Sequence, residues 1–227
     1  LKICREMGYT ANYVARSMVM KETKLLGLIV ANIDNPFMSE MAYHIEMRAR
    51  EHGYNLMLCN SSHDLNLERN VFELLVSRQV DGIIIVPSSS ETYANIKHLI
   101  SKVPTVFVSE NLRDLPESYV SVDNYRGTQI GTEYLYSIGH RNILYLGQRK
   151  GSVTHQLRAE GYVDACRELG IEPTVFSSNY SLSSVQTGTQ MAKQAFATQP
   201  FPYTAIFAAT DSLALGVLAA AEEAGIR

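Results

Sequence analysis

From Leu25 onward, short apolar runs alternate with segments of helical period, and that alternation leaves few folds open. Residues 26–30 (LGLIV), 55–59 (NLMLC), 82–86 (GIIIV), 104–108 (PTVFV) and 119–122 (YVSV) read as strands, with helices expected over 39–51, 66–78 and 92–101. The pattern then restarts. A helix over 124–138 leads to a strand at 142–146 (NILYL), a helix near 157–169, a strand at 174–176, a helix over 184–197, a strand at 205–208 (AIFA) and a helix over 211–224. Strands apolar on both faces are those that helices cover on both sides, so the chain is α/β with parallel sheets. Two consecutive sets of such units, joined near 122–124, predict two Rossmann-like lobes of roughly 100 residues each. Asp211 is expected to cap the last helix and Gly225 to end it. No strand follows, which reads as a last lobe cut short.

No apolar run approaches the roughly 18 to 20 residues that cross a bilayer, and the first residues lack a signal-peptide pattern. A cytoplasmic location is therefore expected. Cys4, Cys59 and Cys166 are odd in number and far apart, which argues against a disulfide framework and a cysteine zinc site. The two N-x-[ST] triplets, at Asn60 and Asn179, are chance matches in such a setting. Of the net charge of −3, residues 1–24 hold five basic side chains against two acidic ones, so the remainder stands at −6. A basic head on an acidic body suits a polyanion at the head, although so small an excess also occurs on solvated helices.

In open parallel sheets, ligands bind beyond the carboxyl ends of the strands, where loops converge and helix N-termini offer free amides. That rule selects Asn32, Asp34, Asn35, Pro36 and Phe37 after the first strand, Ser88 and Ser89 after the third, and Ser109 and Glu110 after the fourth. The second lobe offers Gln148, Arg149, Arg158, Tyr180 and Thr210. Amide, hydroxyl and guanidinium groups with aromatic faces suit a small polar molecule such as a sugar. Plainer roles compete: Asn35-Pro36 as turn chemistry before a helix, Phe37 as a core residue, and Arg158 paired with Glu160 or Asp164. Hydrolase, metalloprotease, P-loop and dinucleotide signatures are absent, and the six histidines form no metal-spaced pair. Asp34 with Glu110 is the one acid/base pair in reach of the same edge. A binding protein without catalysis, metal or cofactor is the expectation.

The ordered series "GYTANYVARSMVM … GLIVANIDNPF … VDGIIIVPS … PTVFVSEN … YVSVDN … GHRNILYLG … EGY … AIFAATDSLALG" resembles the lactose-repressor (LacI/GalR) family of bacterial transcription regulators nearly end to end. The resemblance implies a type I periplasmic-binding-protein-like core: residues 1–24 the end of a DNA-binding headpiece and a hinge helix, 25–122 the N-terminal lobe and 123–227 the C-terminal lobe. In the family, paired hinge helices of a homodimer enter the operator's minor groove. Met18 would then be the apolar wedge, where the family usually has Leu, with Ala15 one turn earlier and Arg16 near phosphates. The resemblance also assigns an effector, a sugar or related metabolite, to Asn35, Phe37, Met38, Ser109, Glu110, Arg158, Tyr180 and Thr210, beside the Ser88 already selected. Many relatives have Asp-Arg in place of Ser109-Glu110 and Asn in place of Thr210. The lost hydrogen bonds to vicinal hydroxyls count against a standard pentose or hexose, and Glu110 in place of a cation repels an anion, which leaves a neutral or cationic ligand open. Arg158 keeps an anion open unless Glu110 neutralises it. The effector would bridge the lobes, and closure would change hinge pairing and operator affinity by linkage. A solute-binding protein of a transporter shares the fold and is the alternative.

Overall fold

The computed structural model describes residues 22–109, 118–149, 151–178, 184–198 and 200–226, with the side chains of residues 148, 149 and 178 left aside. Residues 1–21 of the expected hinge and headpiece remnant, with Ala15, Arg16 and Met18, therefore lie outside the described residues, as do Glu110 and Tyr180. The chain forms two compact units. One comprises residues up to Val108 with 114–119, the other 109–113 and everything from Val120.

In the first unit, β1 (Leu25–Val30), β2 (Asn55–Asn60), β3 (Gly82–Ile85), β4 (Thr105–Val108) and β5 (Ser118–Val120) form a sheet of order β2-β1-β3-β4-β5. Pairings β1/β2, β1/β3 and β3/β4 are parallel, with Leu28 opposite both Leu58 and Ile84. Helices α1 (Pro36–Glu51), α2 (Leu65–Ser77) and α3 (Thr92–Ile100) cover it. Successive strand residues point to opposite faces. Leu28 and Val30 accordingly pack with Ala42 of α1, whereas Gly27, on the other face, lies against Leu75 of α2. The central strands β1 and β3 are apolar on both faces. Strand β2 is not buried as expected: it is the sheet's edge, and Leu58 is 45% exposed there.

The second unit holds β6 (Ile143–Arg149), β7 (Thr174–Ser178) and β8 (Ala205–Ala208) in a parallel sheet of order β7-β6-β8. Helices α4 (Asn124–Ser137) and α5 (Val153–Glu168) cover one face and α6 (Val185–Phe196) and α7 (Asp211–Ala224) the other. Phe207 of β8 turns toward α4, where its ring lies against Gly131; its neighbour Ile206 packs with Ala192, Phe196 and Ala220 of α6 and α7. Buried Tyr145 stacks on Tyr162 at 5.1 Å between ring centres. The Tyr162 hydroxyl donates to Ile143 O at 2.7 Å and accepts from the Thr174 amide at 3.0 Å, which ties α5 to β6 and to the start of β7.

Several boundaries differ from expectation for reasons of capping. Helix α1 begins at Pro36 rather than residue 39, because Asn35 accepts from the Phe37 amide and proline suits the first helical position. Helix α5 begins at Val153 rather than 157, capped by Ser152. Thr210, not Asp211, caps α7; Asp211 occupies the first turn, where its charge meets the helix dipole. Gly225 does end α7, with φ +67° in the left-handed region that glycine adopts without strain. Gln148 and Arg149, expected beyond the sixth strand, belong to it.

Candidate functional site

At the carboxyl edge of the first sheet, the chain leaves β1 through a hydrogen-bonded turn. Asn32 Oδ1 accepts from the Asp34 amide at 3.0 Å, and Asn35 Oδ1 accepts from the Phe37 amide at 2.9 Å. Asn35 is thus committed to turn and cap chemistry. Phe37, for which a core role was weighed, is instead 57% exposed in the first turn of α1. Met38 faces inward and packs with Leu28, Val30 and Ala42. Ser88 is buried, its Oγ 2.9 Å from Ser61 Oγ and its amide donating to Glu68 Oε2 at 2.7 Å. The Ser88 side chain is engaged within the unit.

Glu68 was not selected from the sequence, yet it holds this loop from a fully buried position on α2. Burial pushes its carboxyl above the usual range, and hydrogen bonds from Ser88 and Thr92 pull it part of the way back. A raised folded value favours the protonated form, so its stabilising contribution is complete below the unfolded value, about 4.3, and is lost as pH rises through the folded one. Denaturant unfolding followed upward from acid pH should find stability falling by an increment that Glu68→Gln removes. An identical pH slope in the variant would dismiss Glu68 as its source.

The carboxyl edge of the second sheet is organised around Arg158. Half-buried on α5, it donates from Nε to Asn124 Oδ1 at 2.8 Å and from a terminal nitrogen to Ala209 O at 2.6 Å. Neither acid weighed as its partner takes that part: Glu160 accepts from Gln156, and Asp164 from Tyr125 and Arg167. Residues two apart on a helix do not face each other, which disposes of Glu160 on geometry alone. Asn124, the first residue of α4, is 5% exposed, and its Nδ2 donates to Val122 O at 3.1 Å, which fixes the amide with its oxygen toward Arg158. The sequence motif "SVDN" contains Asn124, but nothing in its spacing points to the arginine 34 residues later.

Thr210, next to Ala209, spends its hydroxyl oxygen on the Leu213 amide at 3.3 Å as the cap of α7. Ser109 belongs with this second unit. It holds a left-handed φ of +76°, donates its amide to Val120 O and accepts at its carbonyl from Thr154 Oγ1 at 3.1 Å. His155, also buried, has Nδ1 2.7 Å from Gly147 O. Among the described side chains the edge therefore presents the Arg158 guanidinium amid amide, hydroxyl and carbonyl groups, which suits hydrogen bonding to a small polar molecule. Among the described residues no cluster of His, Cys, Asp and Glu is placed to hold a metal, and no helix is long and apolar enough to cross a membrane.

Comparison with known proteins follows the same lines. Residues 23–227 match the family model described as periplasmic binding proteins and sugar binding domain of LacI family. The HTH-type transcriptional regulator DegA of Bacillus subtilis is 30% identical over the whole of this chain and 68% of its own length. The chain spans about two thirds of the length of such curated relatives. Among solved structures, a periplasmic binding protein/LacI transcriptional regulator from Alkaliphilus metalliredigens QYMF, complexed with D-xylulofuranose, is 30% identical over 90% of this chain and 74% of its own, with a TM-score of 0.75. The Lac repressor bound to ONPG, at 24% identity over 99% of this chain and 68% of its own, shares the fold with a TM-score of 0.86. With that match from residue 23 onward and parallel α/β units of the type I periplasmic-binding-protein kind, the chain belongs to the LacI family of transcriptional regulators.

Proposed function

We propose that this chain is the effector-binding core of a transcriptional repressor, and that a small polar metabolite, a sugar or a close relative of one, is its effector. The observation that carries the reading is Arg158, held half-buried at the carboxyl edge of the second sheet by Asn124 and Ala209 and beside Thr210. Asn35, Phe37, Met38, Ser88, Ser109, Glu110 and Tyr180 complete the proposed effector set. D-xylulofuranose on one relative supports a sugar as the ligand class. The headpiece and hinge role of residues 1–24, with Ala15, Arg16 and Met18 toward operator DNA, is proposed from the family's pattern, as are the division at 122/123, the homodimer and a cytoplasmic location. No catalytic step, metal or cofactor is part of the proposal.

The test is a thermal-shift screen of the full-length gene product against pentoses, hexoses, their phosphates and nucleosides, followed by DNA selection from a random duplex pool. A ligand that stabilises the protein and changes its affinity for the selected duplex is expected. Ligand binding without any DNA binding would instead indicate a transport solute-binding protein.

Asn35 allows a finer separation. Asn35→Ala removes the α1 cap and should cost about 1 kcal/mol of stability, whereas Asn35→Asp keeps a cap of equal strength. On the proposed reading Asn35→Asp retains wild-type melting but binds the screened ligand more weakly, because an amide donor is gone. Calorimetric titration giving wild-type affinity for Asn35→Asp would leave Asn35 a cap alone.

A further inference from the structure

The described chain begins at the opposite edge of the first sheet from the candidate effector residues, and it begins firmly tied. The Thr23 amide donates to Asp81 Oδ1 at 2.8 Å and the Lys24 amide to Asp81 Oδ2 at 2.9 Å, so each carboxylate oxygen receives one main-chain donor. The Thr23 hydroxyl lies 2.8 Å from Asp81 Oδ1 and 2.9 Å from Gln79 O, and its single proton can serve either. In return the Asp81 amide donates to Leu25 O at 2.8 Å. From the other flank, the Asn55 amide donates to Lys24 O at 2.8 Å, and Lys24 Nζ rests over the Tyr54 ring at 4.7 Å while pairing with Glu22.

Two non-glycine residues here adopt left-handed backbone, Lys24 at φ +47° and Gln79 at φ +55°. Such conformations persist where surrounding bonds over-determine them. Desolvation raises the Asp81 carboxyl, but the hydrogen bonds from Thr23 and Lys24, with the Lys24 charge, outweigh it and hold the group below its ordinary range. Asp81 is thus ionised wherever the protein works, as an acceptor of two amides must be to bind them strongly.

We infer that Asp81 is a positioning residue that clamps the incoming chain at Thr23 and Lys24 to the first unit, so that any movement of that unit reaches the segment ahead of Thr23 without slack. The inference rests on the regulator reading, since it gives the clamp something to transmit. Strand β1 runs from the clamp to the candidate effector turn, six residues or roughly 20 Å. Both ends of one buried strand are therefore fixed, the far one by the Asn32–Asn35 turn and the near one by Asp81.

Hydrogen exchange on Asp81→Ala tests the clamp directly. The Thr23 and Lys24 amides should exchange roughly ten- to a hundredfold faster than in wild type, the scale of a lost hydrogen bond to a charged group, while Leu28 and Ile84 amides in β1 and β3 keep wild-type rates. Asp81→Asn, which retains one acceptor oxygen, should fall between. In the full-length gene product, affinity for the duplex that wild type selects from a random pool should drop about tenfold in Asp81→Ala, by fluorescence anisotropy. Unchanged Thr23 and Lys24 exchange would overturn the clamp; faster exchange with unchanged duplex affinity would overturn its role in transmission. A wild-type protein that selects no duplex would sink the regulator reading and the transmission with it, leaving the exchange rates to judge the clamp alone.

Discussion

Arg158→Met is expected to unfold at a distinctly lower denaturant concentration than wild type and to bind effector at least tenfold more weakly. The stability loss follows from what the guanidinium leaves behind. Asn124 Oδ1 and Ala209 O belong to residues almost shielded from water, and each would lose its donor. An orphaned buried acceptor costs about 1–3 kcal/mol, so the pair should cost about 2–4 kcal/mol after partial relaxation. Hydrogen bonds from a charged donor to a ligand contribute about 1.5–3 kcal/mol, which sets the binding loss at roughly ten- to a hundredfold. Arg158→Lys should recover little, because an ammonium cannot reach both Asn124 and Ala209 with a planar fork. Equilibrium denaturation and calorimetric titration separate the two effects. Wild-type stability would mean that water replaces both donors; wild-type effector affinity would remove Arg158 from the site.

Gly216→Val should be the more damaging change to the fold. A Cβ at Gly216 of α7 would lie 2.5 Å from Thr189 N and 2.8 Å from Gly188 C, with Val185 O closer still. Gly188 of α6 is just as tightly placed against the backbone of Leu213. The two helices cross backbone to backbone, and Thr189 Oγ1 reaches across to Gly216 O at 3.2 Å. Overpacking a core normally costs about 1–3 kcal/mol where side chains can yield. Here the obstacles are main-chain atoms, so a loss of at least about 3 kcal/mol is expected, a fall in melting temperature on the order of 10 °C. A variant melting within a degree or two of wild type would show that α6 and α7 separate freely.

The order of elements was legible because hydrophobic period and length distinguish strands from helices, and β8 and α7 were placed to the residue. Helix starts were less legible. At Asn35 and Ser152 the start is set by the capping side chain rather than by hydrophobic period, and the period read alone placed both starts about a turn late. Edge status was invisible at β2, since "NLMLC" reads as apolar whether or not a neighbour covers it. The site divided in the same way. The rule of strand ends selected Asn35, Ser88, Ser109 and Thr210 as candidates, but it could not say that Asn35 and Thr210 cap helices or that Ser88 turns inward. Asn124, Glu68 and Asp81 went unselected because their partners lie 34, 20 and about 58 residues away, and a single sequence holds no trace of such pairings.

Arg158 serves the fold and, on the proposed reading, the ligand with the same guanidinium. That double service bears on how the specificity of such a protein can drift over generations. A substitution at Arg158 or Asn35 that welcomes a new metabolite also weakens a helix junction or a cap, and descendants carrying it begin with a handicap in folding. Phe37 is under no such tie: more than half exposed in the first turn of α1, it can be exchanged with little structural penalty. Divergence among descendants of this protein should therefore start at Phe37, with the arginine among the last positions to move.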